Sequence, residues 1–132
     1  MQAWIDTARE QAKKDERVEV SDIHIGKILG RSSTHNNIWP QEAVCYAIDR
    51  LNVDEIKRGF IIAVQNKRGA STHGPFEGGG QERDLAQSFR QKVSAIRDRW
   101  PITASLLETV AVHYDEEAKY HDNRAREADL KY

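Results

Sequence analysis

Residues 81–114 read QERDLAQSFRQKVSAIRDRWPITASLLETVAVHY, and this stretch decides the fold. Its apolar residues recur three and four positions apart, which is the spacing of one face of an α-helix. Proline cannot continue a helix interior, so Pro101 separates a helix that ends at Trp100 from one that runs to about Leu130. The two apolar faces consist of Leu85, Ala86, Phe89, Val93 and Ile96 and of Leu106, Leu107, Val110, Ala111 and Tyr114. The stretch therefore predicts a long C-terminal helical hairpin.

The same spacing predicts four shorter helices before the hairpin. They span residues 2–17, Ser21 to Gly30, Pro40 to Leu51, and a segment from an Asn52 cap to Gly69. The third has the most regular apolar stripe, formed by Ala43, Val44, Ala47, Ile48 and Leu51. The alternating residues 18–20 are too short for a sheet strand. We therefore predict an all-α bundle of five to six helices that forms a single domain over residues 1–132.

The amino-acid composition argues against nucleic-acid and membrane partners. Lys and Arg number 20 against 21 Asp and Glu, so the net charge is −1 and no basic excess favours nucleic acid or an anionic membrane. No apolar run is long enough to span a bilayer and no signal-peptide core is present, so we expect a cytoplasmic protein without a membrane partner. Cys45 is the only cysteine; it cannot form an intrachain disulfide, and its apolar helical setting predicts a buried, unreactive thiol.

A glycine-rich segment precedes the hairpin. Residues 69–80 read GASTHGPFEGGG and hold five of the eight glycines, which predicts a mobile, exposed loop. The helix start that follows presents free N–H groups and a positive dipole end, which suit a small anion or a nucleotide. The candidate ligand-binding residues are Lys67, Arg68, His73, Gly79, Gly80, Gln81 and Arg83. The alternative is a flexible connector, because no established phosphate-loop motif is present and Glu82 and Asp84 already suit the helix start.

The last predicted helix is longer than the domain is wide. About 30 residues at 1.5 Å each span roughly 45 Å, against roughly 35 Å for a globule of this size. Residues 119–132 should therefore project, fray or meet a partner. A weak apolar edge continues into this end, and its candidate partner-binding residues are Tyr114, Ala118, His121, Ala125 and Ala128. This edge predicts a protein partner or self-association.

Two further sequence patterns each have a functional interpretation and a plainer one. His113, Glu117 and His121 are four apart and share one helix face, but they match no metal motif, and a solvated edge with a Glu117–His121 pair is the alternative. Residues 25–34 contain the ingredients of a DNA-binding helix-turn-helix. The position of its apolar anchor holds Asn36, and Pro40 follows soon after, which favours an ordinary connection between helices. We expect no metal and no other cofactor.

The segment from Gly59 to Asp122 resembles a helical module of bacterial proteins. The resemblance rests on GFxxxVxNKRG, GGGQERxLA and WPxTAxLLExVAxxYDxEA, whose loop residues here are Asn66, Lys67, Arg68, Gly69, Gln81, Glu82 and Arg83. The module has no assigned activity and tends to lie near the C-terminus of longer chains. The resemblance therefore implies architecture and an accessory domain of a larger bacterial protein.

The function expected from the sequence is a helical protein-interaction or assembly module. No catalytic constellation stands out, so we do not expect an enzyme. An anion- or nucleotide-binding domain is the first alternative, and helix-turn-helix DNA binding is the second.

Overall fold

The computed structural model describes residues 1–34, 38–67 and 78–131, with the side chain of residue 131 excepted. Within these residues the chain forms six helices and no strand, so the predicted all-α fold is confirmed. In chain order the helices are α1 (Gln2–Lys14), α2 (Val18–Gly30), α3 (Glu42–Leu51), α4 (Asp54–Asn66), α5 (Gly80–Ile96) and α6 (Pro101–Lys131). None of the described helices combines the length and hydropathy needed to cross a membrane.

Several helix boundaries differ from the predicted ones. The first helix ends at Lys14, and α2 begins at Val18, three residues before the predicted Ser21 cap. Asn52 ends α3 in the left-handed conformation, with φ 47°, and so does not begin α4 as predicted. Asparagine adopts this conformation more readily than most residues, which explains its use as a C-terminal cap. Arg97 through Arg99 form turns after α5, which therefore ends four residues before Trp100.

The core lies along the N-terminal two thirds of α6. Leu107, Val110 and Ala111 are fully buried there, in a single hydrophobic cluster that also contains apolar side chains from the other five helices. The largest buried contributions from those helices come from Ile5, Leu29, Val44, Ile48, Ile56 and Phe60. Most of the apolar face predicted for each helix is buried, as the helical spacing indicates, but Ala43 at the start of the α3 stripe and Ile28 of α2 are exposed.

Helices α2 and α4 pack unusually close at two glycines. A Cβ on Gly26 would overlap the carbonyl oxygen of Ile56, and a Cβ on Gly59 would overlap that of Ile23. Any side chain at either position would therefore push two backbones apart. Gly30, predicted to stop α2, is instead its last helical residue and lies against Phe60.

The N-terminus of α6 is held by a carboxylate from α3. Asp49 accepts hydrogen bonds from the backbone N–H groups of Ile102 and Thr103, at 2.9 and 3.0 Å, and from the Thr103 hydroxyl at 2.7 Å. The first N–H groups of a helix have no partner within the helix, so this carboxylate supplies one and also complements the helix dipole. The contact fixes the start of the hairpin's second arm against α3.

Candidate functional site

The predicted anion site at the start of α5 contains an anion from the protein itself. The Gly79 N–H donates to Asp122 Oδ1 at 2.8 Å, and Arg83 Nη1 lies 2.6 Å from Asp122 Oδ2. The Gly79 hydrogen bond, followed by the neighbouring Arg83 guanidinium, holds the pKa of Asp122 below its ordinary value. The carboxylate of α6 thus occupies the position that a bound phosphate would take at this helix start.

The remaining predicted ligand residues do not converge on this point. Gly80 and Gln81 are exposed on the first turn of α5, whereas Lys67 lies in a separate cleft described below. Arg68 and His73, and residues 69–77 of the predicted loop, lie outside the described residues. Gly79 lies in the segment predicted to be an exposed loop, but it is buried. A Cβ at this position would overlap the Ala118 backbone. The described end of the glycine-rich segment is therefore a packed joint.

The predicted partner edge of α6 is largely an internal seam. Tyr114 and Ala118 are each 3% exposed, so neither is available to a partner in this conformation. The Tyr114 ring stacks on Phe89 of α5 at 5.8 Å between centroids, and Ala118 lies beneath Gly79. The two residues share one helix face, as their spacing predicts, but α5 and the residue before it cover that face. Periodicity along one helix cannot distinguish an internal neighbour from an external one.

The polar members of this edge also face α5. His121 Nε2 lies 3.8 Å from Oε1 of Glu82, whose side chain is completely buried. The row with metal-ligand spacing pairs within itself, since His113 Nε2 lies 3.0 Å from Glu117 Oε1. Across the described parts of the chain, no group of three potential ligands could hold a metal ion. Ala125 and Ala128, further along α6, are only half-buried.

The helix-turn-helix pattern corresponds to a different structure. Residues 32–34 after α2 are not helical, and the next helix begins only at Glu42. The buried face of that helix, which includes Val44 and Ile48, belongs to the core. The small residues that suggested the motif, Gly26 and Gly30, pack against α4. No recognition helix starts within the described residues of the segment.

An aromatic cleft that the sequence did not indicate opens between α4, α5 and α6. It has a volume of about 300 Å³ and is lined by Trp39, Val64, Lys67, Leu85, Ser88, Phe89, Lys92 and Tyr114. Trp39 meets Phe89 edge-on at 6.3 Å and stacks on Phe60 at 6.3 Å. These eight residues come from four separate segments, so no local spacing brings them together in the sequence.

Two lysines lie at this aromatic cleft. Lys67 Nζ is 4.5 Å from the centre of the Trp39 ring and donates to the Ser32 carbonyl at 3.2 Å. Burial lowers the pKa of Lys67, because an ammonium group loses solvation there. Lys92 Nζ is 5.7 Å from the centre of the Phe89 ring and 3.2 Å from the Ser88 hydroxyl. Both contacts are cation–π interactions, which leave the positive charge available to an anion.

A second surface feature surrounds Trp100, where α5 turns into α6. We call it the Trp100 corner; its residues are Met1, Gln2, Glu42, Ala43, Tyr46, Arg99 and Trp100. Tyr46 meets the Trp100 ring edge-on at 6.2 Å, and the Arg99 guanidinium lies 5.0 Å from the centre of that ring. Arg99 also forms an ion pair with Glu42. A smaller groove, bordered by Ile38, Pro40 and Ile96, adjoins the corner on its other side.

The Trp100 corner exposes one aromatic side chain, that of Tyr46, whereas Trp100 itself is half-buried. Tyr46 is 46% exposed, and Ile38 and Met1 are exposed beside it. The sequence did not indicate this corner, because Tyr46 lies one position outside the apolar stripe of α3 and Trp100 follows the end of α5. The sequence offers only a tyrosine and a tryptophan that lie outside the predicted apolar faces, and this pattern alone does not predict a surface cluster.

Comparisons of the chain with protein-family models, curated proteins and solved structures find no match. The fold and its surfaces therefore define the class of protein by themselves. It is an all-α bundle with a long C-terminal hairpin, an aromatic cleft with two lysines, and an exposed aromatic corner.

Proposed function

We propose that this chain is a helical protein-interaction module that assembles with a second copy of itself through the Trp100 corner. The observation that carries the proposal is the cluster of two exposed side chains, Tyr46 and Arg99, on the half-buried Trp100 ring, with a groove on each side. Tyrosine, tryptophan and arginine are the residues that most often dominate binding energy at protein interfaces. Their mutual contacts also hold the side chains in place before binding, which reduces the entropy lost on association.

A second copy suits this surface because the Trp100 corner is self-complementary. A two-fold interface places one patch against itself, so any charged residue needs its opposite within the same patch. Glu42 and Arg99 supply that pair, and in a dimer each could pair across the axis. A net charge of −1 adds little repulsion between two copies. The chain is then an oligomer-forming unit, and the resemblance of residues 59–122 supports its use as an accessory domain of a bacterial protein.

Light scattering on the purified chain tests the proposal. The unaltered chain should show a mass that rises from monomer to dimer as its concentration increases. Tyr46→Glu should shift this equilibrium to monomer, because it places an unpaired charge in the centre of the contact. Tyr120→Glu is the matched control, since Tyr120 is 57% exposed on α6 and lies outside the corner. A monomeric mass for the unaltered chain at every concentration would refute the proposal.

A truncation separates the Trp100 corner from the predicted edge at the end of α6. The helix continues about 13 Å beyond Asp122 at 1.5 Å per residue. Removing residues 119–132 would also remove the Asp122 cap of α5, so the sharper truncation begins at Arg124. This shortened chain should keep the dimer mass. If it becomes monomeric while Tyr46→Glu remains dimeric, the assembly surface is the end of α6 and the assignment to the corner is wrong.

A further inference from the structure

We infer that the aromatic cleft is a binding site for a small aromatic carboxylate, a ligand class separate from the protein partner proposed above. The inference rests on the combination of three aromatic rings and two lysine ammonium groups around one opening.

The shape and lining suit a small ring compound. A volume of about 300 Å³ lies at the lower end of the range for small-molecule sites, which are mostly apolar with a few placed polar groups. Phe89 lies against both Trp39 and Tyr114, so the three rings support one another. A ligand ring can therefore contact rings that are already ordered, and little side-chain entropy is lost on binding.

The charged residues that line the cleft favour an anionic ligand. The eight lining residues include Lys67 and Lys92 but no Asp or Glu. Over the part of the chain that the structure describes, neither ammonium is within ion-pair distance of a carboxylate, whereas Arg9, Arg83 and Arg90 each have one. A carboxylate on the ligand would supply the missing partner, and it would gain most at Lys67, which is partly removed from water.

The position of the two lysines favours a carboxylate attached to a ring over a free phosphate. Lys67 lies against the face of Trp39 and Lys92 near Phe89, so each ammonium borders aromatic surface. Inorganic phosphate could use the charges but would leave the aromatic surface without a partner. An uncharged ring could use the aromatic surface but would leave both charges unpaired. Only a ligand with both features satisfies both parts of the cleft.

Chemical-shift titration of the intact chain tests the inference with matched probes: benzoate, benzamide, benzylamine and inorganic phosphate. Benzoate should shift the resonances of Trp39, Phe89 and Tyr114 with the highest affinity of the four. Equal affinity for benzoate and benzamide would overturn the role of the lysines. Tighter binding of benzylamine or phosphate, or no shift with benzoate, would overturn the inference as a whole.

Three variants locate the site. The double variant Lys67→Gln with Lys92→Gln should weaken benzoate binding by about tenfold or more, since it removes both charge-assisted contacts. Lys119→Gln, on the exposed side of α6, is the matched control and should bind benzoate like the unaltered chain. Ser88→Phe should abolish binding by filling the cleft while both lysines remain. Unchanged affinity in the double variant, at an unchanged melting temperature, would contradict the assignment.

The result is independent of the proposed assembly. Tyr46→Glu alters the Trp100 corner and leaves every residue of the aromatic cleft in place. If the chain is monomeric but binds benzoate, the assembly proposal fails alone; if it dimerises and ignores benzoate, the ligand inference fails alone.

Discussion

Replacing either of two adjacent glycines by alanine should change the stability of this protein in opposite directions. Gly79 precedes α5 with an ordinary backbone conformation, φ −88°, so alanine is not strained there by its own geometry. Its Cβ would nevertheless overlap the Ala118 backbone and lie 2.7 Å from that residue's carbonyl carbon. Gly80, the first residue of α5, is exposed, and a Cβ there would meet nothing within 4 Å. The two substitutions therefore differ mainly in the space around the new methyl group.

The sizes of the two effects follow from this difference. Forcing a methyl group into a packed site costs about 1–3 kcal/mol, and the upper end applies at Gly79 because backbone atoms cannot rotate away. The smaller entropy of the unfolded alanine chain returns about 0.4–1 kcal/mol at a compatible position. We therefore expect Gly79→Ala to lower the free energy of unfolding by about 2 kcal/mol and Gly80→Ala to raise it by about 0.5 kcal/mol.

Thermal unfolding followed by circular dichroism measures both effects. With an unfolding entropy of about 2.1 cal/mol/K per residue, 1 kcal/mol corresponds to about 3.6 °C for 132 residues. Gly79→Ala should then melt about 7 °C lower than the unaltered chain and Gly80→Ala about 2 °C higher. Equal melting temperatures for the two variants would show that α5 does not lie against Ala118 as closely as described.

Three other outcomes are expected. Asp49→Ala should lower the free energy of unfolding in urea by about 2 kcal/mol and Asp49→Asn by about 1 kcal/mol, because the start of α6 loses a charged acceptor; equal losses would contradict a role for the charge. Burial raises the pKa of Cys45 to about 11, so alkylation at pH 8 should be slow in the folded chain and fast in denaturant; rapid labelling of the folded protein would contradict this. In the folded state the pKa of Asp122 lies below its ordinary value of 3.8. The stability that the ionised Asp122 carboxylate contributes is therefore fully present above pH 3.8 and is lost as the pH falls through the lower pKa of the folded state. The difference in melting temperature between the unaltered chain and Asp122→Asn should accordingly shrink in acid, and a constant difference would disprove the linkage.

The two glycines of α2 show which contacts local sequence predicts and which it does not. Gly26 and Gly30 are four apart, and this spacing of small residues is a known indication of close helix packing. The same two residues also fit the turn of a helix-turn-helix, and nothing local separates the two interpretations. What separates them is Gly59, 33 positions after Gly26, whose missing side chain allows α4 to approach. Close packing needs small residues on both helices, and pairing the two helices requires the folded structure.

The candidate sites likewise combine features that local sequence predicts with contacts between distant residues that it does not. The glycine and charge patterns around Gly79, Gly80 and Arg83 indicate a helix start, and α5 begins there, because such patterns are local. The actual anion at this helix start is Asp122, 43 positions later than Gly79, and no sequence pattern links the two. The aromatic cleft likewise joins Trp39 to residues 53 and 75 positions away, Lys92 and Tyr114. Such groups become neighbours only when the helices pack.

The sequence by itself determined that the chain folds as helices, roughly where they lie, and which face of each is apolar. These properties depend on residues three or four positions apart, whose interactions are set by the helical repeat itself. The tertiary structure alone decided which helix covers Tyr114, which carboxylate caps α5, and which side chains border the cleft and the Trp100 corner. Those outcomes depend on contacts between distant segments, where many pairings bury similar apolar area and only packing in three dimensions selects one.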